Sequence, residues 1–307
     1  MIPILNALAP VFLLTALGYV LRGAKFATGD VWEAVDHLTY YILFPALLTK
    51  TLVRADLGSV PAGAFIFVTL GSVTIMAAFL LVAFLLLRHI VTGPVFTSLF
   101  QGGVRFQSLI AVALSGTLFK EGGLTFAALA VAAMIPLVQL YTVLVLLIFG
   151  EGQPAANPFT LLKRLILNPL TLACVVGLIL NRTGVPGFVY DTLSILGAGS
   201  IALTLLAVGA GLRLPNAAHA GSLVAGIMVL RLIGMPVLVL GLSWLAGLDG
   251  LGRSVAVIAA GVPTASTAYT MARKMGGDAE LMAQIITFQS LAAALTLPIF
   301  IYISEHS

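Results

Sequence analysis

Apolar runs of about twenty residues recur along this chain with short polar breaks between them, and that pattern decides the class of fold before any motif is read. A helix rising about 1.5 Å per residue needs about twenty apolar residues to cross a hydrocarbon layer roughly 30 Å thick. Ten such runs can be drawn, at 2–21, 31–54, 62–88, 94–118, 123–149, 162–182, 188–213, 218–246, 252–274 and 278–303. Charge agrees. Soluble domains carry about 25% charged residues, whereas this chain of 307 residues carries 8%. It therefore reads as an all-α polytopic membrane protein with ten transmembrane helices. The first run, Ile2 to Leu21, has no basic segment before it and no small-residue cleavage pattern after it, so a retained helix is expected there.

Composition also narrows function. A net charge of +4, dispersed along the chain, fits loops facing a cytoplasm and gives no nucleic-acid surface. Cys174 is the one cysteine, so no internal disulfide can form, and the four scattered histidines show no metal-ligand spacing. No cofactor is expected, because no phosphate-binding or dinucleotide fingerprint occurs. An intramembrane enzyme would need a convergent nucleophile and base or paired aspartates. His37, His89, His219 and His306 all lie near span ends or in loops, and Asp36 has no mid-span partner.

The loop Gly150–Leu161 is rich in Gly, Pro and Asn and lies near the midpoint, which divides the chain into five-helix halves at 1–154 and 155–307. An odd number of helices per half inverts the second half relative to the first, a common construction in transporters. One internal echo agrees: Lys120-Glu-Gly-Gly123 and Lys274-Met-Gly-Gly277 lie 154 residues apart. Orientation follows from Lys and Arg near span ends. With the N-terminus outside, eight of them (Arg22, Lys25, Arg88, Lys163, Arg164, Arg213, Arg273, Lys274) face the cytoplasm and five (Lys50, Arg54, Lys120, Arg182, Arg253) face outward. Both termini are thus expected on the side away from the cytoplasm.

The polar chemistry concentrates at two places. Ala260–Met271 reads AGVPTASTAYTM, with Pro263 and five hydroxyl side chains inside an apolar run. Pro263 lacks an N–H and crowds the preceding turn, so the carbonyl of Ala259 loses its helical partner. An unwound turn survives in lipid only where protein or a cavity surrounds it. Val262, Pro263, Thr264, Ser266 and Thr267 are therefore candidate substrate-binding residues. The alternative is a kinked helix whose hydroxyls bond back to their own carbonyls. The fourth span offers the counterpart, FQGGVRFQS over Phe100–Ser108. A charge there costs about 2.5–3.5 kcal/mol on insertion scales, so Arg105 should face protein or water. It can draw in a carboxylate or serve a structural pairing. Gln107 and Ser108 complete the candidate set. Two broken helices also bring together N-terminal ends whose free N–H groups and positive dipole ends suit an anion. Asp36 is the candidate for proton coupling, or else a solvated mouth residue. Tyr41 and Pro45 are candidate pathway residues, Gln139 and Gln289 are candidates to line the pathway or simply to bridge helices, and Arg231 is expected to pair with carbonyls or a neighbouring helix. Pro10, Pro136, Pro236 and Pro298 read as kinks.

These motifs resemble the auxin efflux carrier family, whose bacterial members include malate and malonate permease-like transporters. The resemblance is carried by Tyr41-Ile-Leu-Phe-Pro-Ala-Leu-Leu48, Arg105-Phe-Gln-Ser-Leu-Ile110, Ile135-Pro-Leu-Val138, Gly261-Val-Pro-Thr-Ala-Ser266, Ala268-Tyr-Thr-Met-Ala-Arg273 and Gly277-Asp278, and it covers almost the whole chain. It implies two inverted five-helix repeats with helices 4 and 9 broken and crossing at the substrate site. Helices 1, 2, 6 and 7 would form a scaffold and dimer surface, and helices 3–5 and 8–10 a mobile transport unit. Substrates in such a family are organic anions. Gln107 stands where many relatives carry Asn, and Ala113-Leu-Ser115 stands where plant carriers have a proline, so the fourth-span break is expected at Gly102 and Gly103 or to be milder than the ninth. The expected function is alternating-access transport of a small organic anion by a homodimer in the lipid bilayer. A sodium-coupled bile-acid-type symporter is the runner-up, with a channel behind it. No acidic residue lies beside Pro263 to form a sodium site, which favours uniport or proton coupling.

Overall fold

Where no water is present to satisfy the backbone, the helix is the local solution, because each N–H finds its acceptor four residues back. The computed structural model describes residues 2–55, 58, 60–151, 167–211 and 221–306, and among them every regular element is helical. α1 (Ile2–Gly23) is followed by α2 (Gly29–Leu38), a π-helical turn (Thr39–Leu43) and α3 (Phe44–Val53), which run on without a gap. Then come α4 (Ala62–Leu87), α5 (Gly93–Val104) and α6 (Ser108–Phe149). In the second half, α7 (Pro169–Thr183) and α8 (Gly187–Gly211) precede α9 (Ser222–Val229), which continues through a π-helical turn (Leu230–Gly234) into α10 (Met235–Leu245). The chain closes with α11 (Gly250–Gly261), α12 (Thr267–Met275) and α13 (Ala279–His306).

Among the described residues, five helical runs are long and apolar enough to cross a membrane: Ala62–Leu87, Gly93–Phe149, Gly187–Gly211, Ser222–Leu245 and Ala279–His306. The second and ninth stretches read as spans fall short for identifiable reasons, while the side chains of residues 2–7 in the first lie outside the described ones. The α2–α3 run carries Asp30, Glu33, Asp36, His37 and Lys50. The ninth stretch is divided into α11 and α12, each too short alone. The start of the sixth, with Lys163 and Arg164, lies outside the described residues, as do the division at 154/155, Arg213 and His219.

Local chemistry explains the interruptions. Pro45 and Pro236 each sit at the second residue of the helix that follows a π turn. A proline ring crowds the carbonyl four residues back, and a widened turn relieves that crowding. Pro10, Pro136 and Pro298 lie inside α1, α6 and α13, where kinks were expected. The long α6 reverses at Lys120, whose φ of 54° and ψ of −138° are not helical, so it has two arms, 108–119 and 121–149. The echoed sequence near α12 turns differently. There Gly276 holds the left-handed conformation (φ 75°) as the C-cap, in the position matching Gly122 and not Lys120.

Side-chain caps fix how the helices meet. Asn168 accepts from the amides of Leu170 and Thr171 to start α7 ahead of Pro169, and its Nδ2 donates to the Tyr40 hydroxyl at 3.1 Å. Asn181 near the end of α7 donates to the carbonyls of Leu52, Val53 and Ala55 at 2.9–3.1 Å, closing the end of α3. Asp278 caps α13 through Leu281, while its amide donates to Pro94 and its carbonyl accepts from Ser98. The Gly-Asp motif therefore clamps the start of α5 to the start of α13. The densest packing falls into two sets, α1 with α8 and α3 with α7 and α8, then α4, α5, α6, α10, α11 and α13 among themselves, and the sets are joined by α6 against α1, α3, α7 and α8 and by α13 against α1.

Candidate functional site

Two backbone breaks face each other in the buried centre. α5 ends at Val104 and α6 begins at Ser108; α11 ends at Gly261 and α12 begins at Thr267. Arg105 (φ −75°, ψ 146°) and Val262 (φ −68°, ψ 150°) both leave their helices in extended conformation. The amide of Gln107 donates to the carbonyl of Pro263 at 2.8 Å, joining the breaks directly. Thr264 Oγ1 and Gln289 Nε2 both donate to the carbonyl of Gly102 at 2.9 Å, and Gln289 Oε1 accepts from the Thr264 amide at 2.9 Å. Every group freed by unwinding needs a partner in this setting, and here polar side chains of the other elements supply it.

The first break falls two residues later than the glycines had indicated. Gly102 and Gly103 remain helical within α5, and the unwound residues are Arg105, Phe106 and Gln107. The glycines serve packing instead. A Cβ on Gly102 would lie 2.9 Å from Ile285 and 3.3 Å from Ile227, so a bare backbone is needed where α13 and α9 close on α5.

A cavity of about 560 Å³ opens beside the breaks. Arg105, Gln107 and Ser108 line it from the first break, Ser266 and Thr267 from the second, with Gln139 and Asp36 in the walls. The N-terminal ends of α6 and α12 thus border the cavity. A helix's first turn leaves N–H groups without intrahelical acceptors and carries a partial positive charge. Arg105 is 8% exposed and its hydrogen-bond acceptors are all neutral: Thr267 Oγ1 at 2.8 Å, Met271 Sδ at 2.9 Å and Gln139 Oε1 at 3.3 Å. Its Nε is buried without a partner. The guanidinium therefore brings a positive charge without a carboxylate partner to the cavity wall, while its Nε is sealed from the cavity.

The other sequence candidates separate by position. Val262 and Thr264 are buried and hold the crossing together; Pro263 borders a different, apolar cleft between α1 and α13. Gln289 is fully buried and bridges the two breaks. Tyr41 is 53% exposed, and neither it nor Pro45 lines the cavity. Tyr40 lines it instead. Both tyrosines lie within the π turn Thr39–Leu43, where side chains do not keep the regular α-helical period. Tyr269, one of the five hydroxyls of the second stretch, and Arg273 line the cavity, as do Trp32 and Asn168, which were not singled out from sequence. Of these, Asn168 carried a readable signal, an Asn-Pro helix start.

The cavity reaches Arg22, Asp30 and Glu33 at the α1–α2 turn. A second cavity, about 570 Å³, is lined by Lys50, Arg54, Glu121, Tyr190 and Asp249, with the Arg54 guanidinium 3.6 Å from the Tyr190 ring centre. Asp30 and Arg54 bracket the α2–α3 run, so the two cavities lie at opposite ends of it. None of the break residues lines the second cavity. Among the described residues, no cluster of His, Cys, Asp and Glu could hold a metal ion.

Comparison with known proteins supplies the family. Residues 3–301 match the family described as membrane transport protein. The chain is also 22% identical over 295 residues to a protein of Methanothermobacter thermautotrophicus called an uncharacterized transporter, covering 94% of this chain and 95% of that one. Both matches are to transporters and neither is to an enzyme. With its apolar helices and its broken pair at the centre, the chain belongs to the auxin-efflux-carrier-like membrane transport protein family and is a multi-pass membrane transporter.

Proposed function

We propose that this transporter moves a small organic anion, a monocarboxylate or dicarboxylate, by alternating access, with the carboxylate held at the meeting of the two breaks. One observation carries the reading. The N-terminal ends of α6 and α12 and the Arg105 guanidinium border one cavity, fixed in relation to each other by the Gln107–Pro263 bond. Gln107, Ser108, Ser266 and Thr267 donate to the anion, and Arg105 sets the local potential. Val262, Pro263, Thr264 and Gln289 hold the crossing.

In this reading the chain has ten spans in two inverted five-helix repeats, 1–154 and 155–307. α5 with the first arm of α6 forms helix 4, and α11 with α12 forms helix 9. Helices 1, 2, 6 and 7 are a dimer-forming scaffold, and helices 3–5 and 8–10 move against it in an elevator-like step. The two packing sets support that division. Both termini lie outside a bacterial inner membrane, so the cavity at Arg22 and Asp30 opens to the cytoplasm. Asp36, on its wall, is the proton-coupling candidate.

The test is purified protein in proteoliposomes with labelled monocarboxylates and dicarboxylates, with and without proton and sodium gradients. Saturable uptake with counterflow supports the reading. An absence of transport and of thermal stabilisation across the whole panel overturns the substrate class, and unitary currents would replace the carrier with a channel.

A further inference from the structure

The crossing has a second face, opposite in polarity to the cavity. There the C-terminal ends of α5 and α11 come together, and each helix end carries roughly half a negative charge on carbonyls that lack helical partners. Two such ends amount to about one negative charge inside the membrane. Arg231, on the π turn before Pro236, points into that position and is 0% exposed. Its Nε and Nη2 donate to the Val262 carbonyl at 3.2 and 3.1 Å, Nη2 donates to Ala259 at 3.2 Å, and Nη1 reaches Gly103 at 3.5 Å. The Ala259 carbonyl is the one Pro263 leaves without a helical donor. All acceptors are backbone oxygens, and none is a carboxylate.

Carbonyl oxygens converging from two helix ends are the donor set that hard cations take. We propose that Arg231 is the built-in counter-cation of the crossing: its guanidinium occupies, among the carbonyls of Gly103, Ala259 and Val262, the place a bound cation would need to fill. The two half-helix ends are then neutralised permanently, and the anion-facing side assembles without a metal ion. Arg231 is a positioning residue, since it lines neither cavity and acts through the breaks. This inference rests on the reading of the crossing as the substrate site.

The test uses thermal unfolding of the purified full-length protein in detergent, with sodium, choline and methylguanidinium chlorides compared at matched ionic strength. Wild-type protein should unfold at the same temperature in sodium and choline; a saturable sodium-dependent rise would overturn the proposal. Arg231→Ala should unfold at lower temperature and gain a saturable rise of about 5 °C from methylguanidinium or sodium near a hundredfold excess over Kd. A folded Arg231→Ala protein indifferent to both cations would also overturn it. If that variant does not fold, Arg231→Lys and Arg231→Met decide the matter. The lysine form should remain monodisperse and cation-insensitive while the methionine form does not, and equal behaviour of the two refutes a charge role. No organic anion enters these arms, so they can fail while the carboxylate panel succeeds, and the reverse.

Discussion

Gln289 is the residue whose removal should most directly expose how the breaks are held. Its side chain is fully buried and serves two backbone groups at once, accepting from the Thr264 amide and donating to the Gly102 carbonyl, each at 2.9 Å. Gln289→Leu keeps the size and removes both bonds. The Thr264 amide is then orphaned, at about 1–3 kcal/mol. The Gly102 carbonyl fares better, because Thr264 Oγ1 still donates to it. The expected cost is about 2–4 kcal/mol, well above the average of about 0.6 kcal/mol for polar contacts between membrane helices. Thr264→Val removes only the hydroxyl bond and leaves Gln289 on the same carbonyl, so about 0.5–1.5 kcal/mol is expected. In the double variant Gly102 loses both donors, and the loss should exceed the sum of the single losses by about 1 kcal/mol. Unfolding in mixed micelles of denaturing and non-denaturing detergent measures all three. Additive losses, or a Gln289→Leu cost near 0.6 kcal/mol, would refute the shared-acceptor account.

Three further outcomes are expected. Lys120→Gly should stabilise the protein by about 1 kcal/mol, since Lys120 holds a positive φ that glycine adopts freely; the same micelle unfolding reads it. Asn168→Ala should destabilise by about 1 kcal/mol through loss of the α7 cap, and should free the Tyr40 hydroxyl at the cavity wall, seen as altered tyrosine fluorescence. Gln107→Ala keeps the backbone bond to Pro263 but removes the cavity-lining amide, so it should weaken anion affinity about tenfold to a hundredfold in uptake assays, with unfolding temperature unchanged.

What sequence revealed followed the backbone rules. Pro263 in an apolar run announced a break, because a missing N–H frees a specific carbonyl and bilayer physics forbids leaving it bare. Arg105 and Gln107 were legible for a similar reason, as polar groups with no business facing lipid. The first break was expected at Gly102 and Gly103 or milder than the ninth; it is the shorter, 105–107 against 262–266, and the glycines instead use their bare backbone against Ile285 and Ile227 inside a helix, since glycine permits unwinding without requiring it. Tyr41 was named with the motif around Pro45, whereas Tyr40 lines the cavity, and both lie in a π turn that a regular helical period does not anticipate. The partners of Arg231 and Gln289 lie 28–128 and 25–187 residues away along the chain, so only the folded structure could pair them. The five clearly apolar runs were plain from hydropathy alone.

The central claim is that the transported anion sits where the two breaks meet. Replacing Cys174 by Ser removes the native thiol, and Ser266→Cys then places a single cysteine in the cavity wall beside Thr267. The measurement is the labelling rate of that cysteine by an anionic thiol reagent, with and without a carboxylate that the proteoliposomes transport. The account predicts rapid labelling that the carboxylate slows in a saturable way, at concentrations matching its uptake. Labelling at the same rate whether or not the transported anion is present would contradict it.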